Sequence, residues 1–308
     1  MFHKTSPTES APDPARRRRR TAGAMILALV LAAGAAAWVF SSRTEATPPR
    51  RTAPSPAELA ERLPFFGILY ARTASEVQVA EAQRQLGIDC MTRHGFSYRP
   101  APVAGAAGPV QDRPTAFGLE SLTAPRPAVS SPAPTEESPD PAFTRALFGD
   151  PDERISAAGK TIRVSRPADG CLAEAEKRLL GADRLRWLQL RIQLGDGEKE
   201  ARQQLDKDPR FRTATDRWRR CLHTAGYDHK DPVALMYSLP RGTDPARSPL
   251  VRADLRCKQD TDYLTTAYTR LEAAQTTWLR QHSTLLTEWK TLQLRRQDNA
   301  RQVLGTDR

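Results

Sequence analysis

Nineteen consecutive residues, Ala22 to Phe40, carry no charge and read AGAMILALVLAAGAAAWVF. No polar face remains to point at water, so the stretch does not suit a soluble surface helix. As a helix it would span roughly 28 Å at ~1.5 Å per residue, close to the ~30 Å core of a bilayer. Arg16 to Arg20 stand directly before it. Positive residues beside a first apolar segment keep that side in the cytoplasm. Residues 22–41 therefore predict a single-pass transmembrane anchor. Residues 1–21 form a cytoplasmic basic tail, and everything after the anchor lies outside the cytoplasm at the cell membrane. Trp38 sits where an indole suits the interface. The rival reading is a cleaved signal peptide, whose apolar region is usually about 7–15 residues. Ala35, Ala36 and Ala37 could serve its peptidase.

The anchor also accounts for the arginine run, so nucleic acid is not an expected partner. The 308-residue chain carries 47 basic and 36 acidic side chains, a formal charge of +11. The first 21 residues hold six basic and two acidic ones, which leaves +7 for the remainder. That excess is mixed along the chain. It suits either an ordinary soluble surface or an attraction to anionic envelope polymers.

Residues 42–57 are rich in Ser, Thr, Arg and Pro and read as a stalk. Residues 58–98 hold the first helices of an ectodomain. One runs from about Ala57 to Leu69, interrupted at Pro64. A second is capped by Ser75, places Val79, Leu86, Cys90 and Met91 near one face, and stops at Gly95. Residues 99–141 contain ten prolines. They show no helical or strand period and read as a disordered Pro/Ala-rich insert. Residues 142–308 form the main helical ectodomain. One helix begins at Asp169 or Gly170 and is interrupted at Gly181. Apolar residues continue to Leu194, and Gly195-Asp196-Gly197 suggests a turn. Pro209 opens another helix, which Gly226 closes. No run of alternating strands stands out, so the fold class is all-α.

Between Val251 and Leu304 there is neither Gly nor Pro. Cys257, Leu264, Leu271, Trp278, Leu285, Leu292 and Asn299 recur every seven residues, which keeps them on one helical seam. The companion positions Gln275, His282 and Arg296 are poor coiled-coil residues. The pattern predicts one long helix within a bundle, or a helical hairpin bent near His282-Ser283-Thr284. Leu264, Leu271, Trp278, Leu285 and Leu292 are the candidate partner-binding seam, with a homodimer as one possible use.

All four cysteines follow the anchor, in a compartment where thiols are commonly oxidised. Four cysteines permit three complete pairings. A weak duplication chooses among them. Cys90-x4-Gly95-Phe96 matches Cys221-x4-Gly226-Tyr227, with Pro100 and Pro232 following. Ala168-Asp169 precedes Cys171, and Ala253-Asp254 precedes Cys257. Each unit has one cysteine late in a helix and another early in the next. Antiparallel packing then favours Cys90–Cys171 and Cys221–Cys257. Each closed loop is worth about 4 kcal/mol in the chain-entropy treatment. His94 and His223 lie close enough in sequence to suggest zinc, but neither spacing makes a strong signature, so no metal is expected.

These motifs, together with Gly170-Cys171-Leu172, Glu174, Ala175 and Trp218-x2-Cys221, resemble a loose set of secreted, lipoprotein-like or membrane-anchored actinobacterial proteins. Their function is uncharacterised. The resemblance covers about Ala74 to Leu304. It implies an extracytoplasmic location and paired cysteines, and it transfers no catalytic residue.

The acidic pairs Asp150/Asp152, Asp206/Asp208, Asp228/Asp231 and Asp260/Asp262 are the available carboxylate candidates. Asp near turns and helix ends more often caps. There is no Gly-x-Ser-x-Gly elbow and no phosphate-binding Gly-rich loop, so no catalytic residue and no cofactor are assigned. Trp187, Trp218, Trp278 and Trp289 could line a ligand site, although core packing is their commoner use. The favoured function is a membrane-anchored helical binding module of the cell envelope, taking a protein partner or an anionic cell-wall polymer. The alternatives are an envelope hydrolase with an unrecognised carboxylate site and a structural oligomeric scaffold.

Overall fold

In a computed structural model, which describes residues 54–103, 105, 115–122 and 140–305, helices dominate. Two stapled helix pairs organise them. Helix α1 (Pro56–Glu61) starts in a capping box in which Ser55 and Glu58 satisfy each other's backbone N–H groups. A π-helical turn (Phe66–Tyr70) follows. Helix α2 (Ala74–Arg93) is capped by Thr73, not by Ser75. It ends at Gly95, whose φ of 83° suits glycine alone, while Phe96 N–H bonds back to the Met91 carbonyl at 2.9 Å. After α3 (Pro141–Phe148) and strands β1 (Arg154–Ala158) and β2 (Arg163–Pro167), helix α4 (Gly170–Leu180) returns beside α2. Helix α5 (Arg184–Leu205) follows a single 3-10 turn.

The second pair repeats the first. Helix α6 (Pro209–Thr224) ends at Gly226, φ 87°, and Tyr227 N–H bonds to the Leu222 carbonyl at 3.1 Å. Then come α7 (Pro232–Ser238), α8 (Pro249–Asp260), α9 (Tyr263–Gln281) and α10 (Ser283–Leu304). Cys90 is bonded to Cys171 and Cys221 to Cys257, with Cα–Cα separations of 5.5 and 5.6 Å. These are the pairs that the Cys-x4-Gly-aromatic duplication favours. Helices α5 and α9, the third members of the two units, pack against each other.

Among the described residues no helix is long and apolar enough to cross a membrane. The expected anchor, 22–41, and the tail, 1–21, lie outside the described residues, as does most of the expected stalk.

Several expectations are corrected. The mostly helical chain fits the all-α class; the unexpected addition is one small antiparallel hairpin, β1 and β2, that packs on α5. Gly195-Asp196-Gly197 is not a turn but the middle of α5. Gly197 is there because the indole of Trp278 occupies the space a Cβ would need. Asp196 is there because its carboxylate accepts the Lys160 N–H at 2.7 Å and the Thr161 hydroxyl at 3.2 Å, which closes the hairpin turn.

The stretch from Val251 to Leu304 is three helices, not one. Asp262 breaks it with a left-handed φ of 51°, and His282 breaks it again. Helix α10 leaves α9 at His282 and packs on α2 and α4 instead of folding back as a hairpin. The sevenfold seam is an internal core. Leu271, Trp278 and Leu292 are buried, and Leu264 and Leu285 half-buried. Leu264 and Leu271 join the cluster around Trp218. Trp278, Leu285 and Leu292 join the cluster around Trp187. No open partner or homodimer stripe is left along it. Finally, the 99–141 insert supplies core: Phe117 is fully buried among Phe211, Tyr263 and Tyr268.

Candidate functional site

Carboxylates come first, because hydrolysis would need them. Three of the four acidic pairs have structural work. Asp150 accepts the Asp152 N–H and pairs with Arg145. Asp208 caps α6 through Oδ1 and takes Arg270 on Oδ2 at 2.6 Å. Asp231 caps α7. Asp262 sits in the left-handed break. Asp208 also lines an open groove between α5 and α9 with Glu200 and His282. There the Lys160 ammonium and the Trp278 indole hold the Glu200 carboxyl below its usual range, and Arg270 does the same for Asp208. Both are anchored anions. Neither is a protonated acid beside a free base, as carboxylate chemistry at a glycosidic or acyl bond would need.

Cys90, His94 and Cys171 converge within 4.8 Å. Both sulfurs are tied in the disulfide, so neither can present the thiolate that zinc takes.

The tryptophans are mainly core. Trp187 stacks on Trp289 at 5.6 Å, and Trp278 lies against Phe65 and His282. Trp218 is fully buried and donates Nε1–H to Asp254 at 3.0 Å. Asp254, 0% exposed, pairs with Lys258, 2% exposed, at 2.8 Å. Burial pushes Asp254 up and Lys258 down, and their mutual attraction opposes both shifts. Lys258 also donates to the Leu119 carbonyl. Beside it, buried Glu120 accepts the Tyr268 hydroxyl at 2.7 Å and the Phe117 N–H at 3.0 Å. This polar cluster ties residues 115–122 to α8 and α9. It is closed to solvent and serves the fold.

The surface feature that stands apart is α6. Its apolar positions Phe211, Ala214, Trp218 and Leu222 face the core. Its remaining surface carries Arg210, Arg212, Arg217, Arg219 and Arg220, all exposed, against one acid, Asp216. Asp216 pairs with Arg219 at 3.4 Å. Arg210, Arg212, Arg217 and Arg220 have no acidic partner among the described residues. Arg256, next to Cys257 on α8, is also exposed. Along the sequence the basic excess looks evenly mixed; on the folded chain part of it is concentrated on one helix. The signal was present in the run Arg217-Trp218-Arg219-Arg220, where one core position is flanked by three exposed arginines.

No protein family, curated protein or solved structure matches this chain.

Proposed function

We propose that this is a membrane-held, extracytoplasmic helical module of the cell envelope, and that its α6 face binds an anionic envelope polymer. The observation that carries the reading is the arginine face of α6, with four guanidiniums lacking acidic partners among the described residues. Guanidiniums pair bidentately with phosphate and carboxylate groups. A rigid array of them gains from a polymer that repeats such groups. The staple to α8 keeps the array fixed before binding, which limits the ordering cost. The uncharged segment 22–41 and the oxidised cysteines support the location, and the arginines of 16–20 support the orientation. A polyanion of the envelope fits that side of the membrane, where nucleic acid does not reside.

Co-sedimentation of the full-length protein in detergent with purified anionic cell-wall polymer tests it. Binding should weaken steeply with salt. It should be lost in an Arg212→Glu/Arg217→Glu/Arg220→Glu variant that keeps its helical content. A variant binding as well as the parent at low salt would overturn the reading.

A further inference from the structure

A second region, away from the α6 face, has the makings of a ligand site. A cavity of about 300 Å³ opens where α2, α4, α5 and α10 meet. Its wall includes Glu76, Arg166, Glu176, Trp187, Arg191 and Arg296. Three guanidiniums thus face two carboxylates, which leaves one positive charge uncompensated.

The hydrogen bonds sharpen the imbalance. Both oxygens of Glu76 are engaged, Oε1 by Gln293 at 3.0 Å and Oε2 by Arg296 at 3.2 Å. Both oxygens of Glu176 are engaged, by Arg166 and by Arg184, the latter at 2.8 Å. The Trp187 indole donates to Gln293 at 2.8 Å. The acceptors of the wall are therefore taken, while donors remain. Among the described residues Arg191 makes one long bond, to the Leu69 carbonyl at 3.4 Å. Arg296 lies over the Trp187 ring at 5.1 Å and, among the described residues, hydrogen-bonds through Nη1 alone, to Glu76. The Gln83 amide, also in the wall, has no hydrogen-bond partner among the described residues. A guanidinium offers five N–H groups, and a half-buried one is left wanting acceptors. Burial, with the like charge of Arg191 adding to it, pushes the Arg296 guanidinium below its ordinary range. A bound anion would relieve both effects.

We infer that this cavity binds a compact oxyanion group, held by Arg191, Arg296 and Gln83. The shared chemistry is a carboxylate, phosphate or sulfate headgroup, whose oxygens accept from all three side chains. Leu179 and Leu180 also line the cavity. The site does not depend on the α6 arginines, so the two readings can fail separately.

The test is calorimetric titration of the full-length protein with sodium sulfate and, separately, sodium acetate, each at constant ionic strength. A crystal soaked in selenate then locates the anion. Saturable binding of either anion is expected, the tetrahedral and the planar probe distinguishing the two headgroup geometries. Arg191→Gln should weaken it about tenfold or more, the loss of a charge-assisted hydrogen bond. Gln83→Leu should weaken it less, and the α6 triple-glutamate variant should leave it intact. Absence of saturable binding by both probes would overturn the inference. So would unchanged affinity in Arg191→Gln, or a selenate peak only on the α6 face. Should Arg191→Gln fail to fold, Gln83→Leu and the selenate position decide.

Discussion

Gly197 lies directly against the indole of Trp278, with no room for a side chain between them. This contact joins α5 to α9, the central helices of the two units. Two residues earlier in the same helix, Gly195 has open space where a Cβ would go. The two glycines therefore predict opposite signs. Gly195→Ala should stabilise by up to ~1 kcal/mol, since alanine is the better helix former. Gly197→Ala should destabilise by about 1–3 kcal/mol, because the ring is wedged into a packed core. Urea denaturation of both variants checks this. The same sign for both would remove the packing role given to Gly197.

The buried Asp254–Lys258 pair makes a sharper energetic claim. Removing one partner strands a charge, whereas removing both leaves only neutral donors and acceptors unpaired. Lys258→Met should cost about 3–5 kcal/mol. The double variant Asp254→Leu/Lys258→Met should cost less than that single change, despite stranding the Trp218 indole and the Leu119 carbonyl. A double variant less stable than Lys258→Met would mean that the Trp218 hydrogen bond to Asp254 outweighs the cost of the stranded carboxylate. Limited proteolysis should also cut near residues 115–122 first in Lys258→Met, because that segment loses its tie to α8.

Each disulfide should matter by about 2–5 kcal/mol, measured as the loss on replacing both of its cysteines with serine. Access separates them. Cys90, Cys171 and Cys257 are buried, and Cys221 is half-buried. Attack by a thiolate requires reaching a sulfur. Under native conditions with a small dithiol, mass spectrometry of alkylated protein should find Cys221 and Cys257 opened before Cys90 and Cys171. The reverse order would show that local opening of the α2–α4 unit, not static access, controls reduction.

What was legible in the sequence was local. Cys90-x4-Gly95-Phe96 and Cys221-x4-Gly226-Tyr227 carry their helix stops within themselves, because Gly at positive φ and the aromatic N–H complete the cap within six residues. What was illegible depends on partners far along the chain. Gly195-Asp196-Gly197 has turn composition, and only Trp278 and the Lys160 turn explain why it stays helical. The hairpin was missed because its strands are five residues each and bury little beyond Ala157. Phe117 is the only aromatic of residues 99–141, a signal present but overridden by ten prolines. The α6 patch needed the helix to be known before its arginines could be placed on one surface. The 300 Å³ cavity needed four elements at once.

Asp208 gives the pH prediction, because its two oxygens do different work. Oδ1 accepts the Arg210 and Phe211 N–H groups at 2.9 and 3.0 Å, capping α6. Oδ2 takes Arg270 from α9 at 2.6 and 2.9 Å. The Arg270 hydrogen bond is the main cause holding this carboxyl below its ordinary value, with the cap contributing. A carboxylate whose folded value is depressed contributes stability that is complete above its unfolded value, near 4, and is lost as pH falls through the folded one. Asp208→Asn keeps an oxygen for the cap and discards the charge, so it isolates the bridge from the cap. At pH 7 the variant should be less stable by about 1 kcal/mol, a modest figure because Arg270 is partly exposed. As pH falls through the depressed folded value the parent's own Asp208 becomes protonated, so the two melting temperatures should converge. A gap that stays constant from pH 7 to pH 2 would show that the loss does not come from the Asp208 charge, and that the charged bridge to α9 adds nothing.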